Sequence, residues 1–197
     1  ERFPRTRAAA QAHLSAAYHY ADAGKREEAA QRFRAAADSG FADVASEARY
    51  ALGDLASQAG DTERALDWYG KGYADLPKGG EWSVQSAFEA ANLLAGGGKH
   101  GEAIAVLRRV LEKGDAQPAW KATAQVGIAQ SFEAQGKTAE ARGMYAECLR
   151  GSPPADLKAR AGERLAALGG APPAPRKPPA KKAPAKKSPA KKAAPRV

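Results

Sequence analysis

A fourfold recurrence restricts this chain more than any other feature. The stretches GKREEAAQRF, GDTERALDWY, GKHGEAIAVL and GKTAEARGMY begin at Gly24, Gly60, Gly98 and Gly136, at spacings of 36, 38 and 38 residues. Self-similarity at periods of roughly 20 to 50 residues marks stacked-repeat architectures. In each unit an Ala-rich amphipathic run ends on the glycine, the residue that takes a left-handed conformation and stops a helix without a Cβ clash. A polar turn follows, then a second run in which a small residue (Ala29, Ala65, Ala103, Ala141) precedes a large one (Phe33, Tyr69, Leu107, Tyr145) by four positions. Residues four apart share a helical face, so the small one lets two helices approach and the large one fills the space beside it. The product is a helix-turn-helix hairpin too small to bury its own apolar face, which must stack on a neighbour.

These residues resemble the tetratricopeptide repeat family. With the four alanines aligned to the family's second-helix alanine, the second copy also carries the Leu-Gly pair at Leu52 and Gly53 and the closing proline at Pro77. Pro153 closes the fourth copy, and Tyr20 and Phe132 match the first-helix tyrosine position, where the second and third copies have Ala56 and Leu94. The family's early tryptophan is absent, and the spacing exceeds the usual period of about 34 residues. The added residues are expected in inter-repeat loops such as PKGGEW and KGDAQPAW, which tolerate insertion cheaply. The resemblance covers Ala8 to Pro153 and implies an all-α fold, a right-handed superhelical array of antiparallel helix hairpins.

The flanks read differently. Residues 1–7 look like the end of a preceding repeat, because Pro4 precedes the first copy as Pro77 precedes the third. That ending also resembles bacterial envelope proteins of this class, the outer-membrane assembly lipoproteins and the Tol-Pal coordinator, which places the cell envelope or periplasm ahead of the cytoplasm. The Ala, Gly and Arg usage is of a bacterial kind. Residues 154–169 read as a capping helix with Leu157, Ala161, Leu165 and Leu168 on one face and Lys158, Arg160, Glu163 and Arg164 opposite. A boundary is expected at Gly169-Gly170.

Charge is divided unevenly along the chain. The formal net charge is +9, and from residue 170 onward nine Lys and Arg stand with no acid, so the body holds 22 basic against 22 acidic residues. Residues 170–197 offer nothing larger than Val197 to bury and carry proline every few positions, so this basic tail is expected to be disordered, extended and solvated. The single cysteine, Cys148, excludes an internal disulfide. No apolar run approaches the roughly 20 residues of a spanning helix. No signal peptide is evident, but the chain opens on Glu1 rather than Met, leaving room for an upstream segment.

Catalytic chemistry finds little support. Gly136-Lys137-Thr138 matches the end of a phosphate loop, but the first glycine is missing and the preceding Phe132 and Gln135 belong to a helical pattern, not a strand. Lys25, Lys99 and Lys137 each follow a helix-ending glycine, where a cation favours the negative helix end. His13 and His19, six apart, fall on different faces, which argues against shared metal ligation. Cys148 sits where the family keeps small residues and reads as a buried, inert thiol. No catalytic residue, metal site, cofactor or small-molecule substrate is expected, and the chain is not expected to be an enzyme.

In this family the first helices line the concave side, and ligands lie there. Carried over copy by copy, those positions are Leu14 and Tyr18; Glu47, Tyr50 and Asp54; Gln85, Phe88 and Asn92; and Thr123, Val126, Gln130 and Glu133. They include acids and no Lys or Arg, which argues against a carboxylate-clamp groove and for a partner with apolar or positively charged groups. The reading is a protein-protein interaction scaffold that holds a protein or peptide in its groove, within a larger complex. Three destinations are open to the tail residues Lys177, Lys181, Lys182, Lys186, Lys187, Lys191 and Lys192: nucleic-acid phosphate, an anionic membrane or cell-wall polymer, or the protein's own acidic groove. A solubilising tail with no specific partner is a fourth. The competing function is a nucleic-acid-associated protein whose histone-like tail is the main binding element.

Overall fold

The computed structural model describes residues 6–113 and 117–171. The expected end of a preceding repeat lies, up to residue 5, outside the described residues, and so does the basic tail from residue 172. Four hairpins follow one another: α1 (Arg7–Asp22) with α2 (Arg26–Ala37), α3 (Ala42–Gln58) with α4 (Thr62–Ala74), α5 (Gly80–Gly96) with α6 (His100–Lys113), and α7 (Pro118–Ala134) with α8 (Thr138–Arg150). A ninth helix, α9 (Ala155–Ala167), closes the series. Among the described residues there is no strand.

Local chemistry explains the hairpins. Gly24, Gly60, Gly98 and Gly136 all take positive φ, from 71 to 77°. The amide after each reaches back across the helix end: Lys25 N donates to Tyr20 O at 2.9 Å and Lys137 N to Phe132 O at 2.9 Å, with matching bonds at Asp61 and Lys99. This closure satisfies carbonyls that a free helix end leaves unpaired. At the first and fourth turns the lysine does more than face a helix dipole. Lys25 Nζ lies 5.9 Å from the Tyr20 ring and Lys137 Nζ 5.9 Å from the Phe132 ring, so lysine and aromatic cover these two turns together.

Two expectations about connections change. The stretches PKGGEW and KGDAQPAW are not simple loops: α5 begins at Gly80 and α7 at Pro118, so Glu81, Trp82, Ala119 and Trp120 are helical. The first helices α3, α5 and α7 are all 17 residues long, while the second helices lengthen from 12 residues in α2 to 13 in α4 and 14 in α6, so the added residues fall partly there. The tryptophans are helical because their rings pack inward: Trp82 on Tyr50 at 5.1 Å between centroids and Trp120 against the central core. Within the triplet Gly96-Gly97-Gly98, Gly96 ends α5, and only Gly98 is left-handed.

Packing follows the small-large grammar. Ala29, Ala65, Ala103 and Ala141 are fully buried, and so, to within a few per cent, are Phe33, Tyr69, Leu107 and Tyr145. Each large side chain contributes about 1.5–3 kcal/mol by leaving water. Three apolar clusters bridge the hairpins, one over α1 to α3, one over α3 to α7 and one over α7 to α9. In the second hairpin Gly53 makes room for the Tyr69 ring, because a Cβ there would meet its Cε1 at 2.4 Å.

A buried polar joint fixes the turn into α5. Ser83 Oγ donates to Ser46 Oγ at 3.1 Å, and Ser46 Oγ to Asp75 Oδ2 at 3.2 Å. Arg49 pairs with Asp75 and donates to Ala37 O at 3.1 Å, tying α2, α3 and α4 together. Gly79 passes directly over the two serines, and a Cβ there would fall 1.9 Å from Ser83 Oγ.

Curvature comes from which helices touch. Successive first helices bring Cα atoms within 8 Å of one another (α1 with α3, α3 with α5, α5 with α7, and α7 with α9), whereas among the described residues successive second helices do not and meet through side chains, as where Arg109 on α6 lies over the Tyr73 ring on α4 at 5.0 Å. The layer with the closer backbones is the shorter one, so the array curves with α1, α3, α5, α7 and α9 inside.

Candidate functional site

The inner layer places most of the expected groove residues on one surface, but it divides them by sign. Towards α1, Tyr18 is 37% exposed, its hydroxyl donates to Glu47 Oε1 at 3.1 Å, and its ring meets Phe33 edge-on at 5.1 Å. Next, Tyr69 donates to Asp54 Oδ1 at 2.6 Å. Tyr50 lies between the Tyr69 and Trp82 rings, at 5.9 and 5.1 Å. Glu89 on α5 joins this group, since its charge acts on Tyr50 and Tyr69. Among the described residues no cation forms an ion pair with Glu47, Asp54 or Glu89.

The phenols register that negative field. Burial pushes the Tyr18 hydroxyl well above its ordinary pKa, and the charge of Glu47 adds to the effect. Tyr69 is raised for the same first reason, with its hydrogen bond to Asp54 next. Tyr50 is raised by burial and then by the charges of Asp54 and Glu89. All three phenols therefore remain neutral hydrogen-bond donors.

Towards α9 the groove changes character. A cavity of about 340 Å³ is floored by Phe88, Val126 and Leu157 and rimmed by Gln85, Asn92, Thr123 and Gln130, with Glu89 at one side and Arg160 at the other. Beyond it, Glu133 accepts from Tyr145 Oη at 2.5 Å and from Arg164, Nε to Oε1 at 3.3 Å and Nη2 to Oε2. The Arg164 hydrogen bond, with that from Tyr145, holds the Glu133 carboxyl below the usual carboxylate range despite partial burial. Burial, then Glu133, pushes Tyr145 upward.

These observations correct two sequence expectations. The groove does carry cations: Arg160 and Arg164 stand on the groove flank of α9 rather than opposite its apolar face, which Ala161 and Leu165 bury against α7 and α8. Glu133 is neutralised by the protein itself and adds little negative field. Both facts depend on how α9 sits against α7, which no local periodicity encodes. Leu14 is buried in the first core, and Val126 is buried at the floor of the cavity. Thr123 returns its hydroxyl to Ala119 O at 3.0 Å.

Elsewhere the chemistry is quiet. Cys148 is fully buried, its thiol is pushed up by burial, and Sγ lies 3.9 Å from Ala122 O. Among the described residues no group of His, Cys, Asp and Glu is arranged to hold a metal. Gly136-Lys137-Thr138 forms a helix-helix turn and follows no strand. A second concavity of about 520 Å³ opens between α2 and α4 over the end of α3, walled by Arg26, Arg34, Arg64 and Trp68 above Leu52 and Leu55; the sequence pattern carried no signal for it. No helix among the described residues is long and apolar enough to cross a membrane.

A tetratricopeptide repeat model matches residues 14–79 and 88–156, most of the described array. The chain belongs to the tetratricopeptide repeat family. Solved structures agree on the fold. MamA from Desulfovibrio magneticus RS-1 is 17% identical with a TM-score of 0.57 over 86% of each chain. YrrB, described as a TPR protein with an unusual peptide-binding site, is 21% identical with a TM-score of 0.54, covering 79% of this chain and 75% of its own. BtubC from P. vanneervenii is 18% identical with a TM-score of 0.54, covering 87% and 68%. No curated protein matches the chain. Tetratricopeptide repeat proteins are typically non-catalytic scaffolds for protein-protein interaction, and this tetratricopeptide array has the stacked hairpins of that class.

Proposed function

We propose that the inner groove holds an extended protein or peptide segment, and that the basic tail adds electrostatic attachment to an anionic surface or polymer. One observation carries the reading. Glu47, Asp54 and Glu89 stand together with no ion-pair partner among the described residues, beside the rings of Tyr18, Tyr50 and Phe88, on the layer that faces inward. Such a surface rewards a segment with basic side chains and apolar or proline contacts. The peptide-binding description of YrrB supports the class of ligand. The chain acts as an adaptor, and no reaction is assigned to it.

The full-length chain tests this. Partner capture is expected to fall at least tenfold with Tyr50→Ala combined with Glu47→Gln, and to change little with the outer-face substitution Glu102→Gln. Capture that ignores the groove substitutions but collapses with salt, at a slope near one unit per neutralised phosphate, would transfer the function to the tail and make this a nucleic-acid-associated protein.

A further inference from the structure

Resting on the reading of the groove as a peptide site, we infer that its resting occupant is this chain's own carboxy-terminal segment, residues 172–197. Two kinds of complementarity coincide. The segment carries nine Lys and Arg and no acid, and eight of its 26 residues are proline. The groove between α1 and α5 carries three carboxylates with no ion-pair partner among the described residues, and aromatic faces from Tyr18, Tyr50, Trp82 and Phe88. Proline-rich segments dock on aromatic-lined grooves with little further ordering to lose, and lysines add attraction to carboxylates and rings. Lysine pairs at Lys181, Lys186 and Lys191 recur every five residues, so shifting by one period presents the same chemistry.

Position and reach are compatible. The segment leaves the body at Ala171, just past α9. From α9 to α3 are three helix-to-helix steps of roughly 10 Å each, while 26 residues at the polyproline rise span about 80 Å. Arg160 repels a basic segment from the end nearest its origin, where the Glu133–Arg164 pair offers no net negative charge to hold it, and directs it towards α5 and α3. Attachment through a short linker sets an effective concentration of roughly millimolar, enough for weak contacts to prevail. A polyanion that takes the segment thereby vacates the groove, and a groove ligand releases the segment to a polyanion; this reciprocity is required thermodynamically.

Carbodiimide coupling of the dilute full-length chain is expected to join Lys181, Lys182, Lys186 or Lys187 to Glu47, Asp54 or Glu89 of the same chain. Bonds spread over the outer carboxylates, or only between chains, would overturn the inference. A fluorescent peptide of residues 172–197 is expected to bind at least tenfold more tightly to a full-length variant with its seven tail lysines changed to glutamine than to the natural chain. Equal affinities, or no binding to either, also overturn it. Equal affinities that fall with Glu47→Gln and Tyr50→Ala would leave the groove reading standing, whereas peptide binding and partner capture both indifferent to those substitutions would remove the groove reading as well.

Discussion

The two halves of the groove are built from the same repeat, yet one keeps its negative charge and the other cancels it. In the second hairpin Tyr69 gives its hydroxyl to Asp54, and in the fourth Tyr145 gives its own to Glu133. The difference is the cap: α9 brings Arg164 onto Glu133, while among the described residues no cation pairs with Asp54. A solenoid can therefore set the polarity of its inner surface by what closes its end, without altering the repeats.

The comparison breaks most visibly at the small residue beneath each tyrosine. Gly53→Ala forces its Cβ against the Tyr69 ring and is expected to cost about 1–3 kcal/mol, a melting loss of about 3–10 °C. In the fourth hairpin the matching position is already alanine, and Ala129→Gly is expected to cost only about 1 kcal/mol. Thermal melts of both variants would settle the order, and a harmless Gly53→Ala would show that the Tyr69 ring moves freely.

The hydroxyls come next. Tyr69→Phe takes a 2.6 Å donor from half-buried Asp54, and a loss of about 1–2 kcal/mol in urea titration is expected. Tyr145→Phe should lose about 0.5–1 kcal/mol, since Arg164 still holds Glu133. Equal losses would mean that the cap does not distinguish the halves.

The ion pair itself is a smaller effect. Arg164 is half exposed, so Arg164→Ala should cost about 1 kcal/mol or less at neutral pH. Glu133 titrates below its unfolded value, so the pair's stability is fully present above the ordinary glutamate pKa of about 4.3 and is lost as pH falls through the lower, folded value. Melting curves of natural and Arg164→Ala proteins are expected to differ at pH 7 and converge towards pH 3; a gap that widens in acid would reverse the assignment. Smallest of all is Tyr18→Phe. Its hydroxyl meets Glu47 at a solvated edge, and a stability change within about 0.5 kcal/mol is expected.

Much of this fold was legible before any coordinates. The pairs Ala29/Phe33 through Ala141/Tyr145 announce the hairpins because a four-residue spacing survives in the sequence, and the four glycines mark the turns because few other residues tolerate positive φ. Helix lengths were less legible: Trp82 and Trp120 look like insertion residues until their rings are seen packed. Least legible was the sign of the groove. Glu133 and Arg164 are 31 residues apart, and only the seating of α9 on α7 brings them together.

That the inner helices approach one another backbone to backbone more closely than the outer ones has a mechanical consequence. A stack held more tightly along one side bends about that side, so any change in curvature alters the inner channel and the outer clefts in opposite senses. The cleft beside Trp68, between α2 and α4, is thus a lever on the opposite face: an object wedged there would tighten the curl and squeeze whatever the channel holds.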